Sequence, residues 1–143
     1  MNNLTKMLIA KPAHEVFEAF VDPDQIGNFW FSSSSERWAS GKTIKLRYDE
    51  YNADGEIKVK EIVKDKKITF EWDYGNVVHL VTITFTLRDE MSTLVEVNEE
   101  GFADDKESIP LLVGNKEGWV YTLTCLKGYL EHGITTLRAA LVH

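Results

Sequence analysis

Between Gly41 and Gly101 apolar and polar residues alternate, and only short turn-forming clusters break the pattern. Side chains that alternate faces belong to β-strands with one buried side. Ile44, Leu46 and Tyr48 alternate with Lys45, Arg47 and Asp49. Ile57, Val59 and Val63 continue the series, with an irregularity expected near Glu61-Ile62. Ile68, Phe70, Trp72 and Tyr74 line one face against Thr69, Glu71 and Asp73. Val77, His79, Val81, Ile83, Phe85 and Leu87 share a face opposite Thr82, Thr84 and Thr86. Val95, Val97 and Glu99 alternate with Leu94, Glu96, Asn98 and Glu100. The turns fall at Asn52-Ala53-Asp54-Gly55, Lys64 to Lys67, Gly75-Asn76 and Arg88 to Ser92. Connections this short join neighbours in an antiparallel sheet, with Gly55 expected to supply the positive φ of the first turn.

A sheet with one apolar face needs a cover. Trp119, Leu123, Leu126 and Leu130 recur at i, i+4, i+7 and i+11. At about 100° per residue they form a narrow stripe on one helix, which Gly133 closes as a C-terminal cap. Tyr121, Thr124, Gly128 and His132 fall on or near its other side. Before the sheet, Leu4 to Lys11 reads as a first strand. Pro12 opens a short helix with Ala13, Val16, Phe17 and Phe20 on its apolar face. Asp22-Pro23, with Gln25 three residues after the cap, resembles a capping box and predicts a second short helix through Ile26, Phe29 and Trp30. Phe31 to Ser40, with its run Ser32 to Ser35, is read as a solvated loop that lays Trp38 over a core edge or a pocket mouth, and Phe102 to Gly114 as a loop around an acidic cluster. Ile134, Leu137, Ala140 and Leu141 predict a terminal helical turn or two, folded back on the domain.

The order is strand, two short helices, five hairpin-linked strands and a long helix, an α+β arrangement of about six strands. A straight helix on a curved sheet leaves an internal space where the loops gather. Residues 1–143 are read as one domain. The chain is 43% hydrophobic and 27% charged with a formal charge of −7, which disfavours nucleic acid and anionic membranes as partners. One cysteine, Cys125, excludes an intrachain disulfide and is read as a small structural or exposed thiol rather than a nucleophile. With no secretory segment and no long apolar run, the expected setting is cytoplasmic.

The series Ala13 to Phe20, Asp22-Pro23, Trp30, Gly55 to Ile62, Phe70-Glu71-Trp72, Thr93 to Val97, Glu100-Gly101-Phe102 and Gly118-Trp119 carries a likeness in its order. The chain resembles the START/Bet v 1-like (SRPBCC) superfamily, in the branch related to the C-terminal domain of the activator of Hsp90 ATPase. That resemblance implies a helix-grip fold whose cavity takes hydrophobic or amphipathic small molecules. It also implies two alternatives, because a few relatives are cyclases or aromatases and one branch stimulates the Hsp90 ATPase.

From the residues themselves, Trp30, Trp38, Tyr48, Trp72 and Tyr74 form an aromatic set around the expected space. His79 faces the sheet's apolar side, as a bonded core histidine or a polar anchor for a ligand. Glu99 shares a face with Val95 and Val97 near a strand end, where exposure is the plainer expectation and a cavity anchor the sharper one. Trp119 and Leu123 are expected at the open end as pocket lining, with Leu126 and Leu130 holding the fold. His14, His79, His132 and His143 are scattered, so no metal site is expected; without glycine-rich phosphate loops, no cofactor is expected either. The reading is non-catalytic binding of a hydrophobic or aromatic molecule; a cyclase or dehydratase using the same cavity, or an Hsp90-type chaperone co-factor, are the alternatives.

Overall fold

A computed structural model describes residues 1–142. His143, counted above among the scattered histidines, lies outside the described residues. Strand β1 (Asn3–Ile9) leads into helix α1 (Ala13–Val21). Then follow β2 (Ser33–Ser34), β3 (Thr43–Tyr48), β4 (Ala53–Val63), β5 (Lys67–Tyr74), β6 (Val77–Asp89), β7 (Ser92–Glu100) and helix α2 (Ile109–His132). The strands form one antiparallel sheet in the order β1-β7-β6-β5-β4-β3-β2. The sheet is curved and gripped by α2, the α+β helix-grip arrangement, with seven strands where about six were expected. The additional strand is β2, in the serine run read as a loop. Ser33 and Ser34 pair with Arg47 and Leu46 because the chain must pass the edge of β3 on its way into the sheet.

Alternation places the core as the sequence implies. Ile44, Leu46, Ile57, Val59, Ile68, Phe70, Val81, Ile83, Phe85, Val95 and Val97 are all buried on the inner face. Phe17 and Phe20 of α1 meet Phe85 of β6, each at 5.8 Å between ring centres. Leu123 and Leu126 of α2 are fully buried, and Cys125 beside them is a buried free thiol that packs as a small apolar group. The irregularity near Glu61 is a register shift between Val59 and Glu61 against β5.

Four local expectations are corrected. The β3–β4 turn lies earlier than read: a 3-10 turn at Asp49–Tyr51 ends on Asn52 with φ 47, and β4 has resumed by Ala53. Asparagine takes the left-handed conformation there, which leaves Gly55 inside a strand. The second short helix is a single 3-10 turn, Ile26–Asn28. Asp22 accepts from the Asp24 amide at 2.9 Å and from Gln25 Nε2 at 3.1 Å, so the polar groups that looked like a capping box close a turn. Helix α2 begins at Ile109, inside the segment read as a loop, with Pro110 in its first turn where a missing N–H costs nothing. The described residues after Gly133 form no helix. They run back across the domain, as the expectation of a folded-back tail requires.

Helix α2 also closes the free edge of β1. Lys116 Nζ donates to the Leu4 carbonyl and Lys127 Nζ to the Leu8 carbonyl, the latter at 2.9 Å. Asn3 Nδ2 donates to the Leu112 carbonyl at 3.0 Å, and the Ala10 amide donates to Glu131 at 2.9 Å. Among the described residues no helix is long and apolar enough to cross a membrane.

Candidate functional site

Glu99 stands near the end of β7 with its side chain fully buried. The inward phase of the strand, set by Val95 and Val97, directs it between sheet and helix. Its oxygens accept from four side chains. Trp72 Nε1 on β5 donates at 3.0 Å and His79 Nδ1 on β6 lies at 2.8 Å. Trp119 Nε1 on α2 donates at 3.0 Å, and Asn115 Nδ2 spans both oxygens at 3.0 and 3.2 Å. An indole N–H can only donate, so a carboxylate with two acceptor oxygens suits this set of partners. Burial without such partners would be prohibitive. Phe102 and Tyr74 pack on the His79 ring, with centres 4.5 and 4.9 Å away. Gly101 makes this possible: at φ 123, a Cβ there would stand 2.7 Å from His79 Cδ2.

The two indoles held by Glu99 stack at 5.6 Å and belong to a continuous chain of rings. Tyr74 touches Trp72 (5.8 Å), and Trp119 touches Trp30 (5.2 Å). Trp30 meets Phe31 (4.7 Å), Phe31 meets Tyr48 (4.6 Å), and Tyr48 meets Tyr51 (5.2 Å). All seven rings border a cavity of about 850 Å³ between β3, β4, β5 and α2. Small residues make the room. Gly55 on β4 and Gly114 and Gly118 on α2 border the space, and a Cβ at any of them would meet nothing within 4 Å. Burial raises the phenol pKa of Tyr48, and burial together with the Glu99 charge pushes that of Tyr74 up to about 12.

The C-terminal tail supplies the last wall, through Ala139 and Leu141. Arg138 pins it. Its guanidinium donates to Glu50 at 2.6 and 3.0 Å, to the Trp30 carbonyl at 2.7 Å and to Ser32 Oγ at 3.1 Å. The same group lies 5.8 Å from the centre of the Tyr48 ring. These bonds hold the Glu50 carboxyl down to about 2. Tyr121 Oη donates to the Leu137 carbonyl and Tyr51 Oη to that of Leu141, the latter at 3.3 Å.

One family model, that of activator of Hsp90 ATPase homolog 1-like proteins, matches residues 10–131. The chain belongs to this family. Among solved structures, this Hsp90-activator-homologue domain is similar to protein SSP2350 of Staphylococcus saprophyticus, at 48% identity over 98% of both chains and a TM-score of 0.85. DynU16, a putative protein of the dynemicin biosynthetic locus, shares the fold at 21% identity and a TM-score of 0.81, over 94% of this chain and 48% of its own. The Aha1 dimer of Colwellia psychrerythraea shares it at 16% identity and a TM-score of 0.79, over 93% of this chain and 98% of its own. No curated protein matches the sequence.

Of the site residues read from the sequence, the Hsp90-activator-homologue fold brings Trp30, Tyr48, Trp72, Tyr74 and Trp119 together around the cavity. Trp38, His79, Glu99 and Leu123 are buried behind that wall and do not border it. Trp38, expected over a core edge or pocket mouth, packs against Phe70 and Trp30 instead. Glu99, more simply expected in solvent, is fully buried, with His79 beside the Trp72, Trp119 and Asn115 donors that its carboxylate accepts. Leu123 joins Leu126 in the core. Asn115, Phe31, Tyr51 and Tyr121 went unrecognised in the sequence. Asn115 and Tyr121 sit on a helix, where only the i, i+4 relation of Asn115 to Trp119 could have marked it.

Proposed function

We propose that this domain binds a hydrophobic or aromatic small molecule, without transforming it, in the cavity between the sheet and α2. The observation that carries the reading is the belt of seven rings bordering about 850 Å³. Each additional ~100 Å² of ligand surface buried there would contribute on the order of 2.5 kcal/mol before ordering costs. Non-catalytic binding is favoured because the pair best suited to move a proton, His79 and Glu99, is buried behind Trp72 and Trp119. The setting proposed is the cytoplasm. The reading is tested by titrating the protein's tryptophan emission with neutral aromatic probes such as tert-butylnaphthalene. Saturable quenching, accompanied by a rise in melting temperature, is expected. Neither effect with any probe would overturn it.

A second reading, co-factor to an Hsp90-type chaperone, is favoured by the family match over residues 10–131. It predicts stimulation of the chaperone's ATPase by the purified domain, and an unchanged rate at saturating protein would remove it.

A further inference from the structure

We infer that the ligand of this cavity is an organic cation, a hydrophobic molecule carrying an alkylated ammonium group. The inference rests on the reading of the cavity as a binding site and names the chemistry of what fills it. A purely apolar ligand is served equally well by aliphatic walls. A wall of rings differs because the face of each ring is electron-rich and attracts a positive charge.

Three features point the same way. The residues bordering the cavity include no lysine, arginine or histidine, but they do include Asp54, Glu56 and Asp73. Asp54 is paired with Arg47 at 3.0 Å, whereas Glu56 and Asp73 have no ion-pair partner among the described residues. These carboxylates alternate with the inward-facing Gly55, Ile57, Trp72 and Tyr74, so they act through their field rather than by contact. Next, the carboxylate of Glu99 accepts both indole N–H groups of Trp72 and Trp119 at 3.0 Å. An anion at the N–H edge pushes electron density into the ring, and both of these rings border the cavity. Finally, the belt already holds a cation. The Arg138 guanidinium of the tail lies over Tyr48 at 5.8 Å, with its charge answered by Glu50. Alkylated ammonium groups bind well to such surfaces because their hydration is weak and their charge is diffuse.

The experiment uses three naphthalenes of similar size and different charge: naphthyl-trimethylammonium, its neutral isostere tert-butylnaphthalene, and naphthalenesulfonate. Affinities are measured by equilibrium dialysis against the full chain. The cation is expected to bind about tenfold more tightly than the neutral isostere, and the sulfonate more weakly than both. Equal affinities for cation and isostere would overturn the cation assignment and leave the cavity reading standing. Failure of all three to bind would overturn both. The Glu99→Gln variant, checked for folding by circular dichroism, is expected to lower the ratio of cation affinity to neutral-probe affinity. Trp72→Leu, which also weakens the neutral probe because it removes a wall ring, is read by the same affinity ratio should Glu99→Gln not fold, and an undiminished ratio in the folded variant would overturn the role given to the polarised indoles.

Discussion

Trp119 on α2 donates its indole N–H to Glu99 on β7 across 3.0 Å, and this contact registers the long helix on the sheet. The same carboxylate holds Trp72 from the other side, so wall and core share one anchor. Replacing Glu99 with leucine would strand the donors of Trp72, Trp119 and Asn115 in a buried site. The expected cost is about 3–5 kcal/mol, read by urea denaturation. A loss below about 1 kcal/mol would show that these donors find other partners.

Stability and binding are expected to move in opposite directions at Gly118. A Cβ there meets nothing within 4 Å and projects toward the cavity. Gly118→Ala should stabilise the helix by up to about 1 kcal/mol through propensity alone. The same methyl narrows the space between α2 and β4, so probe affinity should fall. A stabilised variant that binds more tightly would place the ligand elsewhere.

Release of the tail should be separable from unfolding. Arg138→Gln removes the paired bonds to Glu50 and those to Ser32 and the Trp30 carbonyl, while the apolar side chains of the core stay in place. Chymotryptic cleavage after Leu137 should accelerate severalfold, with little change in melting temperature. The Glu50 pKa is depressed from 4.5 to about 2, so the contribution of this pair is present above pH 4.5 and is lost as pH falls toward 2. Tail protection against an acid-stable protease should therefore persist at pH 4.5 and fail only in stronger acid.

Alkali should unfold the domain through its cavity phenols. The Tyr74 pKa is raised from 10 to about 12, and that of Tyr48 is raised as well. Below pH 10 both phenols are neutral in folded and unfolded chains, and nothing is gained or lost. Above pH 10 the unfolded chain gives up protons that the folded chain keeps. Stability then falls by about 1.4 kcal/mol per pH unit for each such phenol. Tyr74→Phe should flatten this decline, as measured by denaturation midpoints between pH 9 and 11.5.

The alternation from Ile44 to Glu99 made the sheet legible, because a half-buried strand writes its two faces directly into its sequence. Turn placement was less legible. Gly55 attracted the turn, yet Asn52 adopts the left-handed conformation, a choice fixed by the register of β3 on β4. The first two turns of α2 were invisible for a related reason. Ile109, Leu111 and Val113 are exposed and Gly114 interrupts, so no apolar stripe marks the segment. That segment is held by Asn3 to Leu112 and Asn115 to Glu99, contacts between distant parts of the chain. In the site, the aromatics could be named but not their order in the belt. The burial of Glu99 with His79 depends on which strands are neighbours, and period gives the face of a residue without its partner across the sheet.

A sheet of this length offers other chains a template at each margin, and here neither margin is open. At one end stands β2, only two residues long. At the other, Lys116 and Lys127 occupy the carbonyls of Leu4 and Leu8. Another molecule adding a strand beside β1 would first have to displace two ammonium groups. The lysines that fasten the helix therefore also obstruct strand addition at this edge, and exchanging them for leucine would loosen α2 and expose the edge in a single step.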